Sequence, residues 1–181
     1  MKLENTHIEG CILLHFGPHI DNRGLFFETF NKDTFSAMGM PDEFKQDNLS
    51  KSCAGVLRGL HIQTNNPQGK LIRCITGTIF DVVVDLRPHS KSFKSHLIIE
   101  LSDHSNMALY APPSCAHGFY SLDDSVVYYK CTTLYDKSSD GGIHPLDNEL
   151  NIKWPGNNFV MSDKDKKLPS MRQWLESRYG R

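Results

Sequence analysis

The sequence has no apolar run approaching the roughly 20 residues that a helix needs to span a bilayer, so no membrane partner is expected. Its longest early apolar stretch, Cys11 to Phe16, is too short for the core of a secretion signal and lacks a small-residue cleavage site. Net charge is also small. Twenty basic and 21 acidic side chains leave -1, which offers no overall pull toward nucleic acid or acidic lipid. The five cysteines are odd in number and form no CxxC pair, which argues against both a disulfide framework and a structural zinc site. The nine histidines contain no HxH or HExxH spacing. Glycine-rich phosphate loops of the GxGxxG or GxxxxGK[ST] type are missing, as is a GxSxG nucleophile elbow. With no repeat, low-complexity tract or linker to divide it, the chain reads as a single domain over residues 1–181, cytoplasmic and with no metal.

What the sequence does contain is a succession of short strand-like runs. Lys70 to Thr76 and Thr78 to Leu86 meet at a turn centred on Gly77. In the second run Ile79, Asp81, Val83 and Asp85 share one face, and Phe80, Val82, Val84 and Leu86 the other. Further runs are His96–Leu101, Met107–Tyr110, His117–Ser121 and Ser125–Thr133. Strands recurring without helices between them predict an all-β sandwich or jelly roll. Two short helices are expected, over Thr34–Met38 and, near the C-terminus, Ser170–Ser177.

Polar residues inside apolar runs mark candidate chemistry. In Val56 to Gln63, Arg58 and His61 interrupt a strand-like run. Either this is a surface strand facing water or both side chains serve one pocket. Alternation sets them on opposite faces, so a shared pocket requires Gly59 to relax the pleat, as glycine does in a bulge. His117 stands between Ala116 and Gly118 and reads equally as a hydrogen-bonded core histidine. Cys115 lies two residues away on the same face, and nothing near it marks an activated thiolate. Tyr128 and Tyr129 are a packing pair unless one enters a pocket. The segments 21–28 and 44–48 combine arginine and amides, which suits either a phosphate and a heterocycle or a locked turn.

Eight blocks in order along nearly the whole chain carry a resemblance: DNRGLFFETF, FKQDNLSKS, GVLRGLHIQ, GKLIRCITGTIFDVVVDLR, APPSCAHGF, VVYYKCTTLYD, IKWP and MSDKDKKLP. On these the chain resembles the dTDP-4-dehydrorhamnose 3,5-epimerase family of the cupin superfamily. The resemblance implies a cupin-type jelly-roll barrel, a nucleotide-diphosphate-linked 4-keto-6-deoxy sugar as substrate, no cofactor, and a homodimer whose N-terminal strands reach across to the partner. It implies His61 as general base, Asp165 as the carboxylate that orients it (with Asp81 the fallback) and Tyr129 as the acid across the sugar. It also implies that Lys70 and His117 contact sugar oxygens or stabilise the enolate. Arg23, Glu28, Gln46, Asn48 and Arg58 resemble nucleotide-diphosphate contacts, joined by Tyr135, Asp140 and Lys164.

The chain departs from the family pattern at Gly142 to Asp147, where a tryptophan and an acidic or amide pair are usual. It departs again at Leu49 and Cys115. These changes leave open epimerisation at C3 alone or a GDP-linked 4-keto heptose as substrate; the alternative of another class, a non-catalytic sugar-nucleotide-binding cupin, has no need for His61, Tyr129 and Lys70 together.

Overall fold

The structure, a computed structural model, describes residues 1–180; residue 181 of the expected domain span lies outside the described residues. In chain order the first strands are β1 (Lys2–Asn5), β2 (Ile12–His15), β3 (His19–Asp21), β4 (Gly24–Phe26), β5 (Gln46–Ser52), β6 (Leu57–Gln63) and β7 (Lys70–Thr76). They are followed by β8 (Thr78–Asp85), β9 (His96–Ser102), β10 (Met107–Ala111), β11 (Cys115–Ser121), β12 (Ser125–Cys131) and β13 (Asp140–Gly142). The helices are α1 (Lys32–Ala37) and α2 (Met171–Tyr179).

Two antiparallel sheets make a cupin-type jelly roll. The larger has six strands in the order β1-β2-β10-β7-β12-β5, and the other five in the order β13-β6-β11-β8-β9. Strands β7 and β8 do not pair with each other. Gly77, at φ +76°, turns the chain out of one sheet and into the other. The alternation read in β8 then explains itself. Ile79 and Val83 point between the sheets, packing with Ile72, Cys74, Leu109 and Val127. Val82, Val84 and Leu86 point outward and are covered by Met171, Trp174 and Leu175 of α2. Burial on both faces is why the run is so nearly continuous in apolar residues.

Helix α1 begins at Lys32 rather than Thr34, because the Asn31 side chain caps it by accepting from the Thr34 N–H at 3.1 Å. Helix α2 has the reciprocal cap of Ser170 with Gln173 and ends at Gly180 in the left-handed region. The hairpin β3–β4 stands apart from both sheets, with Ile20 76% and Phe26 72% exposed. Its base is held by Phe27, which stacks on Phe16 at 5.1 Å under the Arg73 guanidinium.

Candidate active site

Most of β6 is buried, including Leu57, Leu60 and Ile62, so it is not a surface strand. It also carries an extra residue. Arg58 lies opposite Phe119 and His61 opposite His117, so three steps along β6 match two along β11. Gly59 absorbs the bulge at φ +111°. Arg58 and His61 thereby line one depression, together with Ser162, Lys164 and Asp165. A Cβ on Gly59 would lie 2.7 Å from the Gly118 Cα and 2.8 Å from the His117 carbonyl oxygen. Gly59→Ala should therefore destabilise the fold by about 2–4 kcal/mol. A denaturation midpoint unchanged from the parent protein would refute this account of the bulge.

The second depression, about 360 Å³, shares His61 and Lys164 with the first. Its walls come from both sheets: Gln46 and Asn48 of β5, Lys70 of β7, Tyr129 of β12 and Asp140 of β13, with Tyr135 and Gln68 from loops. Nothing in the sequence pattern marked Gln68, which lies in the loop before β7 and donates to the Thr133 carbonyl at 2.8 Å.

His61 and Asp165 meet despite standing 104 residues apart. The His61 Nε2–H donates to Asp165 Oδ1 at 2.7 Å, and the Gly59 N–H donates to Oδ2 at 3.1 Å. Burial opposes ionisation of Asp165, but the bond and charge of His61 with the Gly59 and Ser162 donors hold its carboxyl below the usual range. With Nε2–H given to the carboxylate, Nδ1 keeps the free lone pair, a tautomer assigned from the bonding pattern. Among the described residues Nδ1 has no hydrogen-bond partner.

Asp81 does not partner His61. Strand β11 lies between β6 and β8, so Asp81 reaches His117 instead, accepting from its Nε2 at 2.8 Å. That pair is buried beside His61, with His117 6% exposed. Cys115 is an inert thiol, since burial pushes it up to about 12.

Tyr129 lies opposite Asn48 and Ile72 and faces the cavity, whereas Tyr128 faces outward beside Lys130 and Asp47. Burial, with help from Cys131 and Asp140 and against Arg58, raises the Tyr129 phenol above its ordinary value. Burial lowers Lys70, while Cys131, Asp81 and Asp140 act to raise it. Arg58 Nε donates to Ser52 Oγ at 2.9 Å. Tyr135 and Lys164 both bond Asp140 at the rim. Arg23 and Glu28 are not brought to this cavity. Arg23 is tied to Asp21 in the exposed hairpin, and Glu28 accepts from Asn31.

The class of protein so defined is a cupin-type barrel whose mouth brings a carboxylate-held histidine, a phenol and a lysine to one polar cavity. Residues 5–173 match the family model described as dTDP-4-dehydrorhamnose 3,5-epimerase. The chain belongs to that family. It is 42% identical over 172 residues to the dTDP-4-dehydrorhamnose 3,5-epimerase of Methanothermobacter thermautotrophicus, covering 93% of each chain. It is 37% identical over 169 residues to the dTDP-4-dehydrorhamnose 3-epimerase of Streptomyces niveus, covering 92% of this chain and 82% of that one. Among solved structures, a dTDP-6-deoxy-D-glucose-3,5-epimerase from Legionella pneumophila in complex with dTDP-4-keto-L-rhamnose superposes with a TM-score of 0.91. That pair shares 37% identity, over 94% of this chain and 93% of the other.

Proposed function

We propose that this protein is a cytoplasmic isomerase that epimerises a nucleotide-diphosphate-linked 4-keto-6-deoxy sugar at C3 and C5. The observation that carries the reading is that His61, held from behind by Asp165, lines one cavity with Tyr129 and Lys70. A 4-ketone acidifies the hydrogens on the two neighbouring carbons. His61 Nδ1 takes such a proton, and the anionic Asp165 stabilises the imidazolium that forms. The electrons pass into the ketone oxygen as an enolate. Lys70 donates to that oxygen and binds the developing charge more strongly than the neutral ketone, which is differential binding of the transition state, while His117, its Nε2–H given to Asp81, supports the site from the strand beside His61. Tyr129 returns a proton to the opposite face, inverting the carbon.

The remaining residues hold the handle of the substrate. Arg58 and Lys164 are the cations for the diphosphate, and Gln46, Asn48, Tyr135 and Asp140 frame the space for the nucleoside. Arg23 and Glu28 belong to the same function through a homodimer, in which the β3–β4 hairpin of one copy reaches the cavity of the other. The exposed Ile20, Leu25 and Phe26 on that hairpin support this, since such apolar surface is usually covered.

Turnover of dTDP-4-keto-6-deoxyglucose in heavy water tests the reaction. Two deuterons gained per molecule is the expected result. One deuteron identifies a single-centre epimerase such as the Streptomyces niveus relative is named to be. None, with the nucleotide sugar still bound, identifies a binding protein.

A further inference from the structure

We propose that Asp140 is an internal counter-ion of Lys164 that the substrate's diphosphate displaces, so that this carboxylate weakens nucleotide binding and speeds nucleotide release. The inference rests on the reading above that the cavity takes a nucleotide diphosphate. Asp140 opens β13 and is fixed by the pairing of that strand with Gln63 on β6. Its Oδ2 accepts from the Tyr135 hydroxyl at 2.8 Å and from the Lys164 ammonium. The two partners of the ion pair differ in freedom. The Asp140 side chain is 14% exposed and that of Lys164 54% exposed, so the carboxylate is part of the wall and the lysine is the arm that moves.

Charge makes the exchange favourable. Asp140 is the one carboxylate among the described residues that line the 360 Å³ depression. Asp165, next along from Lys164, is committed to His61 and the Gly59 N–H. A diphosphate brings at least two negative charges to the rim between Lys164 and Arg58, and charge-assisted bonds from an ammonium to phosphate oxygens are strong. Transfer of Lys164 to the diphosphate leaves Asp140 with the Tyr135 hydroxyl, which keeps its oxygen satisfied but not its charge. Binding must offset that cost. The purpose is kinetic: substrate and product carry the same nucleotide, and tight binding common to both lowers KM without raising kcat. A competing carboxylate limits that shared affinity.

Calorimetric titration with dTDP of the full chain and of the variants Asp140→Asn and Lys164→Met is the test. Asn keeps an acceptor for Tyr135 and removes only the charge, so Asp140→Asn should bind dTDP about three- to tenfold more tightly, the scale of one partly exposed ion pair. Lys164→Met should bind more weakly. A crystal of the dTDP complex should show Lys164 Nζ on a phosphate oxygen and Tyr135 still on Asp140. Weaker or unchanged binding by Asp140→Asn would overturn the proposal, as would a complex in which Lys164 stays on Asp140 away from the phosphates. If the unaltered protein fails to bind dTDP, the nucleotide reading itself falls, and that result is separate from both.

Discussion

His61→Asn should lower kcat by about 10²- to 10⁴-fold, the usual contribution of a positioned general base. Asparagine is smaller than the imidazole ring and reaches only to the position of its Nδ1, so it loses the Nε2 bond to Asp165 and cannot hold the abstracted proton. Among the described residues no substitute base lines the cavity: Asp140 is occupied by Tyr135 and Lys164, and Asp165, held by the Gly59 N–H, lies outside its lining. Deuterium incorporation should therefore vanish at both carbons together, because one base serves both. Affinity for dTDP should stay within a few-fold of the parent, since the proposed nucleotide contacts lie with Arg58, Gln46 and Asn48. Asp165→Asn should cost less than His61→Asn, because it weakens the stabilisation of the imidazolium without deleting the proton acceptor. Near-normal turnover of His61→Asn would remove His61 from the role of base.

Much of the barrel was legible in the chain because strand alternation is a local property. The run from Thr78 to Leu86 shows one apolar face and one that carries Asp81 and Asp85, and its glycine neighbour announces a turn. Which strand pairs with which is not local. The Gly77 turn looks like a hairpin, and only the packing of the two sheets shows that β7 and β8 part company there. The same limit applies to the charged pairs. His117 and Asp81 are 36 residues apart and find each other because β8 and β11 are neighbours, a fact that periodicity does not encode. The His61–Asp165 pair was anticipated through family resemblance alone. By contrast, the bulge at Gly59 was legible from chemistry as a condition: Arg58 and His61, three residues apart, can share a pocket only if the pleat is broken between them. Residues such as Gln68, an ordinary amide in a loop, carry no pattern that would single them out.

Tyr129→Phe should separate the two halves of the reaction. The phenol faces the cavity from β12, in register with Asn48, and its hydroxyl makes no hydrogen bond among the described residues. Burial raises it above its ordinary value, so it arrives at neutral pH protonated, as an acid should. Without that hydroxyl His61 still abstracts the proton and the enolate still forms. The only donor left beside the reacting carbon is then the imidazolium, on the face from which the proton came. In heavy water the imidazolium exchanges and returns deuterium to that face, so Tyr129→Phe should yield labelled substrate with its original configuration. Inversion should fall about 10²- to 10³-fold while exchange persists. Tyr128→Phe is the control, because its ring lies on the outer face beside Lys130 and Asp47 and should leave both labelling and inversion intact. If labelling and inversion fall together in Tyr129→Phe, the phenol only shapes the site. If Tyr128→Phe loses inversion while Tyr129→Phe keeps it, the acid sits on the other face of β12 and the assignment of Tyr129 is wrong.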